Sequence, residues 1–464
     1  MRAHFLVLIL LLAGCSSLPE EKSFGFFLNE KCMITNTEQN NLIEGTHLRI
    51  SSVDSTTGTI HLILPADFTI NDENYPNWVL GWGTRNAYYD AGVENIREIK
   101  SIDLASGTIE LGMIRRGSGF PQKGQRVVFW NIQPSGYSKV SNAPVIHPNF
   151  WPEFHGQSIG FSSIVFDRYR QIWITLVNEI DSDTIQTYAA ISTDLVHWRA
   201  ANKGKPVLTG SDFEQCSWVT KGQTPIISEI IEHDGTYYLF MDSEDEQGKR
   251  HIGLATAKDL LSEYTIYVDP ILSPKGNSWC EERVFCAKVA KRKNDFLMVF
   301  DGRDSDGKER IGRATSSDLI SWKMDADPVL DQHLGWRSAP FTTEPNYLEV
   351  HGDTVLLIAA GAKQYQESYW HHYVTHRAYL DVSGNVNDAQ LGAFISYDGG
   401  MSFFPHPNNP IFTNAYSSPF ENEHMGGNFE RIEKDSTSYL FYQAKSSLGE
   451  MKYSIFLRTK SLIH

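Results

Sequence analysis

One short phrase recurs along this chain. It reads ISTDLVHW at Ile191–Trp198 and ATSSDLISW at Ala314–Trp322, with weaker copies ATAKDLLSEY at Ala255–Tyr264 and FISYDGGMSF at Phe394–Phe403. The aligned acids are Asp194, Asp259, Asp318 and Asp398, one roughly every 60–80 residues. A period of that length limits the fold severely, because each repeat is a unit that buries its apolar face only against its neighbours. A proline-apolar step follows each phrase, at Pro206-Val207-Leu208, Pro270-Ile271-Leu272, Pro328-Val329-Leu330 and Pro410-Ile411-Phe412. An upstream copy, Ala143-Pro144-Val145-Ile146, precedes the first phrase. Alternating apolar hairpins with turn formers at their tips begin near 161, 226, 284, 345 and 428, as in IISEIIEHDGTYYLFMDS. Five units of about four strands predict an all-β chain, a five-bladed β-propeller over residues 139–464. Pro144-Val145-Ile146 would supply the outer strand that the last blade lacks and so close the ring. The repeated Asp then caps a turn between strands, and Trp198 and Trp322 pack between blades.

Residues 25–138 lack this pattern and carry their own doublet, SSVDSTTGTIHLIL at Ser51–Leu64 and KSIDLASGTIELGM at Lys100–Met113. Each half reads strand, glycine turn, strand, which predicts a small N-terminal β-barrel or β-sandwich domain. Gln133-Pro134-Ser135-Gly136 is the expected linker. Ahead of it, residues 1–14 look like a signal peptide: a basic start, an apolar run over Phe5–Leu12 too short to span a bilayer, then Ala13-Gly14-Cys15. This looks like a bacterial lipoprotein signal in which Cys15 becomes the lipidated N-terminus and residues 15–24 a polar tether. The expectation is an exported, monomeric protein, anchored to the bacterial envelope by that lipid alone, at the outer membrane or cell surface.

The formal net charge of −15, with no basic run, argues against nucleic acid, since phosphate binding needs clustered Lys and Arg. Export permits disulfides among Cys32, Cys216, Cys280 and Cys286, but their spacing assigns no pairing and forms no zinc signature. His371, His372 and His376 cluster in YWHHYVTH, where an extended backbone would point the first two apart, so they suit a sugar cleft better than zinc.

Five blades, SxDLxxW turns and carboxylates opening strands resemble the five-bladed propeller glycoside hydrolases, the group of families 43, 32, 62, 117 and 130. The likeness covers residues 140–464. It implies that acids at the starts of the innermost strands carry catalysis at the channel mouth. On that basis Glu281 or Glu282, in WCEERVF, is the general acid; Glu229 orients it or tunes its pKa; and Glu344, in TTEPNYLEV, is the base or nucleophile. Glu421, Glu423, His424 and Asn428 open the fifth blade. The first blade departs from the family pattern, with Ser162 and Ser163 where its general-base Asp is expected. The resemblance implies no cofactor for the reaction; a structural Ca2+ in the channel near His424 is the cation it allows.

Glycosidic cleavage needs one protonated carboxylic acid at the leaving oxygen and one carboxylate to activate water or attack. Carboxylates converging on one mouth push their pKa values apart and create that division. Trp151, Trp218, Trp279, Trp336 and Tyr416 precede the blades, where flat rings either stack on sugar faces or pack beneath loops. Arg283, with Arg303 and Arg337, either grips an acidic sugar or pairs with a neighbouring Glu. His371 and His424 complete the expected substrate-binding set. The reading is therefore a glycoside hydrolase acting on an oligo- or polysaccharide. A non-catalytic glycan-binding lipoprotein that has lost its base is the alternative, and lyase or phosphorylase chemistry is a third reading.

Overall fold

The computed structural model describes residues 49–63, 78–82, 95–103, 105–116, 120–123, 128–131, 137–141, 143–156, 158–180, 185–276, 278–331, 344–361, 390–405, 424–445 and 453–462. Cys15, the signal and tether segments, Cys32, Trp336, Arg337, His371, His372, His376, Tyr416, Glu421 and Glu423 lie outside them, as does the side chain of His424. No helix among the described residues is long and apolar enough to cross a membrane.

The N-terminal strands are β1 (Arg49–Asp54), β2 (Thr59–Ile63), β3 (Trp78–Trp82), β4 (Asn95–Asp103), β5 (Thr108–Arg116) and β6 (Val128–Asn131). They form one six-stranded antiparallel sheet in the order β1-β2-β5-β4-β3-β6, rather than two facing sheets. The sequence doublet is its centre. Asp54 and Asp103 cap matching turns by accepting the Thr56 and Ala105 N–H groups at 2.9 and 3.0 Å. The turns also exchange bonds reciprocally, Leu62 N–H to the Gly107 carbonyl and Leu111 N–H to the Gly58 carbonyl, both at 2.8 Å.

The propeller begins with β7 (Ser138–Lys139). Its first blade is β8 (Ser158–Asp167), β9 (Ile172–Ile180), β10 (Thr187–Ser192) and β11 (Trp198–Ala200). The second is β12 (Ile226–His233), β13 (Thr236–Glu244), β14 (Arg250–Ala257) and β15 (Tyr264–Ile266). The third is β16 (Arg283–Lys291), β17 (Phe296–Arg303), β18 (Glu309–Ser316) and β19 (Lys323–Met324). The fourth is β20 (Pro345–His351), β21 (Thr354–Gly361), β22 (Gln390–Ser396) and β23 (Phe404–Pro405). The last is β24 (His424–Lys434), β25 (Thr437–Lys445) and β26 (Tyr453–Ser461). Four of these units, among the described residues, are antiparallel meanders of four strands, and β7 completes the fifth in the order β24-β25-β26-β7. Each inner strand touches the next, β8 to β12 to β16 to β20 to β24, and β24 returns to β8.

The closing piece differs slightly from the expectation. Ser138 and Lys139 form the missing outer strand, paired with Thr459 and Arg458. Ile146 instead makes the bridge to Ile455 that the other proline-apolar steps make on their own third strands, Leu208 to Thr187, Leu272 to Ile252 and Leu330 to Ile311. Tyr137, buried between blades four and five, donates or accepts a 2.6 Å bond with Ser438.

The recurring phrase is a capped turn. Asp318 accepts the N–H groups of Ile320 and Ser321 at 2.9 and 2.7 Å, and Asp194 does the same for Val196 and His197. Leu195 and Leu319 take the left-handed conformation, φ 69° and 65°, beneath these caps. The Trp198 and Trp322 indoles donate to the Leu195 and Leu319 carbonyls at 3.0 Å. Their rings meet Phe441 and Phe240 of the adjacent blades edge-on, at 5.9 and 5.8 Å. Both expectations for the phrase hold.

Asp318→Ala is expected to cost about 0.5–1.5 kcal/mol, the net value of a hydrogen bond at an exposed cap, measured by denaturant unfolding. These caps also set a pH dependence. The Ser321 N–H above all holds Asp318 at about 2, and for Asp398 side-chain bonds from Ser402 and Ser396 outweigh burial to the same effect, against 3.8 unperturbed. Because the folded values are depressed, their contribution is complete above the unfolded value and is lost as pH falls through about 2. Unfolding midpoints at pH 5 and pH 2.5 should differ less in Asp318→Ala than in the parent.

Candidate functional site

Strand direction defines the functional end of the channel. In each blade the first strand starts, the second ends and the third starts at one rim, here called the top. Every inner strand also carries a β-bulge, at Phe161/Ile164, Ile227/Glu229, Phe285/Lys288, Pro345/Tyr347 and Met425/Phe429. A bulge bends its strand and re-aims side chains. These bulges divide the channel lining into a top group and a middle group.

The middle group is a buried polar network. Ser163 donates to the Glu229 carboxylate and its Oγ accepts the Ile230 N–H at 3.0 Å. Lys288, 3% exposed, donates to the Ser228 carbonyl at 2.7 Å and lies 3.6 Å from Glu229 Oε2. Asn428 donates to the Phe161 carbonyl, tying blade five to blade one. Burial raises the Glu229 carboxyl, with Lys288 opposing, and burial followed by the Glu229 charge pushes Glu430 up to about 8. Below them Arg431 grips both oxygens of Glu349 at 2.8 and 2.9 Å. Following the bulge, Glu229 joins Ser163 and Lys288 across three blades. Ser163, the departure from the family pattern, is its partner there. Ser162 turns to the Leu176 carbonyl at 3.1 Å.

The top group spans blades two to four. Arg250 Nε donates to Asp242 Oδ1 at 2.6 Å, and Asp242 Oδ2 accepts the Cys286 N–H at 3.1 Å. The Arg250 guanidinium lies over the Phe285 ring, 5.0 Å from its centre. Cys286 occupies the bulge with φ 51°. Burial above all raises the Glu344 carboxyl, with the Arg250 charge opposing and the Asp242 charge adding to it. Burial, then the Asp301 charge, raises Glu309 well above the usual carboxylate range, with Glu344, Arg303 and Arg283 close by. Asp242, Asp301 and Glu309 are 1%, 0% and 4% exposed.

The expected site residues divide accordingly. Glu282 and Glu344 immediately precede the neighbouring inner strands β16 and β20, and the Arg250 backbone N–H donates to the Glu282 backbone carbonyl at 3.2 Å. Glu281, beside them, has a different use, accepting the Ser305 N–H at 3.3 Å at the following hairpin. Arg283 pairs with Glu244 at 3.1 Å, which is the second of its two expected uses. Trp218 does not line a sugar cleft as expected. Trp218 is 1% exposed, and a Cβ on Gly253 would come within 2.1 Å of its ring. Trp279 lies over Gly302 and Gly312, stacks on Phe300 at 5.8 Å and donates to the Ala326 carbonyl at 3.1 Å. Trp218 packs in the core instead of awaiting sugar, and Trp151 does likewise, with its indole N–H on the Ala189 carbonyl at 3.2 Å, whereas Trp279 keeps part of its surface exposed. Asp242, Arg250, Asp301, Glu309 and Cys286 were not anticipated, because they sit on second and third strands or in a bulge. Among the described residues no group of three or more His, Cys, Asp or Glu is placed to hold a metal ion. Cys216, Cys280 and Cys286 are free thiols.

No protein-family model matches the chain, and no curated protein matches it. Solved structures do. A structure of BT0996 in complex with RGII aligns at TM-score 0.51 and 17% identity, over 71% of this protein and 95% of its own length. A candidate glycoside hydrolase from Parabacteroides distasonis aligns at 0.51 and 16%, over 71% and 97%. A structure from the GH130 family of mannoside phosphorylases, which contains glycoside hydrolases targeting β-1,2 mannosidic linkages in Candida mannan, aligns at 0.50 and 14%, over 69% and 93%. These likenesses establish the fold, that of the glycoside hydrolase propellers.

The middle network makes a stability prediction. Lys288→Met strands a buried carboxylate and is expected to cost about 3–5 kcal/mol, whereas Lys288→Met combined with Glu229→Gln recovers most of that loss in denaturant unfolding. A double variant no more stable than the single one would show that the two side chains are not coupled.

Proposed function

We propose that the chain is a glycoside hydrolase that cleaves an oligo- or polysaccharide at the top of the channel. The observation that carries this reading is the placing of Glu282 and Glu344 immediately before the adjacent inner strands β16 and β20, which touch one another. The fold shared with glycoside hydrolase propellers supports it, as does a neighbour complexed with RGII. Burial favours the neutral carboxyl of Glu344, which suits Glu344 to the general acid and reverses the base role inferred from its place in the sequence. Its proton passes to the glycosidic oxygen as the bond to the anomeric carbon breaks. In direct displacement the Glu282 carboxylate takes a proton from the water that adds to that carbon and returns it to solvent, while Glu344 is reprotonated from solvent; in the two-step route Glu282 bonds to the carbon as the leaving group departs, and water that gives its proton to Glu344 then displaces Glu282 and restores both groups. The chemistry calls for no cofactor. On this reading the protein is a monomer exported and anchored to the bacterial envelope through a lipid on Cys15, with glycan as its partner.

Glu282→Gln and Glu344→Gln should each lower turnover at least ~100-fold, while Glu281→Gln stays within about tenfold of the parent. The glycan panel should include RGII and β-1,2-linked mannosides, with and without phosphate, followed by product chromatography. Full activity in both variants would overturn the reading, and calorimetric binding without any product would make the chain a glycan-binding protein instead. Metabolic palmitate labelling should mark the parent and not Cys15→Ser; equal labelling of both would remove the anchor.

A further inference from the structure

Two hairpins in the chain are built to one plan. MDSEDEQGKRHIG at Met241–Gly253 joins β13 to β14, and FDGRDSDGKERIG at Phe300–Gly312 joins β17 to β18. Gly248 and Gly307 take φ 79° and 80° at the same point of each turn, and Asp245 and Asp304 open the turns. In each blade that Asp is joined, through a side chain of the third strand, to the residue after the proline-apolar step. In blade three the joint is Arg310, bonded to Asp304 at 2.7 Å and to Asp331 at 2.8 Å. In blade two it is His251, with Nε2 3.1 Å from Asp245 Oδ2 and Nδ1 3.0 Å from Ser273 Oγ. A carboxylate, an imidazole and a hydroxyl are therefore linked by two hydrogen bonds at the top rim of blade two.

Each member is held by rigid structure, which a reacting group needs. Asp245 Oδ1 accepts the Gln247 and Lys249 N–H groups at 2.8 and 2.9 Å, which leaves Oδ2 to His251. Burial raises the Asp245 carboxyl, but these bonds outweigh it and keep the group below the usual carboxylate range. His251 lies on β14, paired with Ser243. Ser273 follows Leu272, whose N–H and carbonyl bond Ile252 at 3.1 and 2.9 Å. The proton positions follow from the partners. A carboxylate only accepts, so His251 Nε2 carries a hydrogen; in the neutral ring Nδ1 then accepts, and the Ser273 hydroxyl donates to it. His251 and Asp245 are 14% and 12% exposed, and Ser273 is half-buried. Among the described residues no acceptor takes the Ser273 backbone N–H, which leaves it able to donate to an oxyanion.

We propose that this set is a second active site, which hydrolyses esters of short acyl groups with Ser273 as nucleophile, His251 as base and Asp245 as the residue that positions the base. A nucleophile bonded to a base that a third group orients is the arrangement such chemistry requires. The ring presents Nδ1 to the hydroxyl and Nε2 to the acid, and either imidazole nitrogen can serve as the base. The Ser273 Oγ–H proton passes to His251 Nδ1 as Oγ bonds the acyl carbon. The tetrahedral adduct expels the alcohol, which leaves with that proton. Water then adds to the acyl carbon and gives a proton to Nδ1, and Ser273 departs with it as the carboxylic acid is released. Asp245 stays ionised beside the imidazolium throughout. The groups around the turn are polar: Thr220 Oγ1 donates to the Glu244 carbonyl at 2.8 Å and Lys249 Nζ to the Glu281 carbonyl at 3.0 Å. Such neighbours suit a short acyl group and not a long apolar chain. The site does not depend on the hydrolase reading of Glu282 and Glu344.

The test uses the full-length folded protein with a fluorophosphonate probe and p-nitrophenyl acetate. Peptide mass spectrometry should find the phosphonyl group on Ser273 of the parent. His251→Ala should slow that labelling at least ~100-fold, and added imidazole should restore part of it. Asp245→Asn should lower kcat for the acetate at least ~100-fold with KM within about threefold of the parent. His251→Arg combined with Ser273→Asp rebuilds the joint found in blade three. That double variant should unfold at the parent's denaturant midpoint and hydrolyse no ester, which separates the chemistry from the structural link. A parent left unlabelled at Ser273, or labelling just as fast in folded His251→Ala, overturns the proposal and leaves the three side chains as a link between turn and strand. Ester hydrolysis at the parent's rate by the double variant overturns it as well.

Discussion

The structure depends on the closure of a ring. Four blades are continuous stretches of chain, but the fifth is completed by Ser138 and Lys139, about 300 residues upstream in sequence of the strand they cover. The bridge from Ile146 to Ile455 and the burial of Tyr137 extend the same seam. A β-sheet with an open edge invites mispairing, and a propeller whose first and last blades were not joined would splay. Closure forces five inner strands around one axis and so gathers polar side chains from distant parts of the chain into one channel.

The channel is divided. At its middle Ser163, Glu229, Lys288 and Glu430 bind neighbouring blades together through buried charge and hydrogen bonds. Removing one partner of such a group is costly, whereas keeping all of them specifies which blades meet. At the top the same kinds of residue are arranged differently. Asp242 and Arg250 balance each other, while Asp301 and Glu309, at the matching positions one blade later, are both acids. Two buried carboxylates close together cannot both ionise cheaply. Across each hairpin the second position still faces an opposite charge, Glu244 opposite Arg250 and Arg303 opposite Glu309.

Much of the fold was legible in the sequence because its devices repeat. The Asp caps, the Trp198 and Trp322 contacts and the proline-apolar steps each recur with the period of the blades, and a repeated local interaction leaves a repeated local phrase. The closing strand was misplaced by a few residues because Ser138-Lys139 carries no such phrase, and only Ile146 does. The site was less legible. Reading carboxylates from strand openings put forward Glu282 and Glu344, which do precede neighbouring inner strands, together with Glu229, which the bulge sets against Ser163 and Lys288 without marking the sequence. Trp218 and Trp279 looked like sugar platforms by position. The glycines they cover, Gly253 and Gly312, sit at matching points of the two hairpins and were the available signal that these indoles are packed. Asp242 and Arg250 could have been found by aligning the hairpins with each other rather than reading each blade from its first strand.

The central claim is that a glycan is broken between Glu282 and Glu344, at the openings of blades three and four. It is tested most directly by a crystal structure of the Glu344→Gln variant with an uncleaved oligosaccharide from the panel. The account predicts the glycosidic oxygen within hydrogen-bond distance of the residue 344 side chain, with the anomeric carbon facing Glu282. An oligosaccharide seated away from the channel top, or with its scissile bond turned from both side chains, would contradict it.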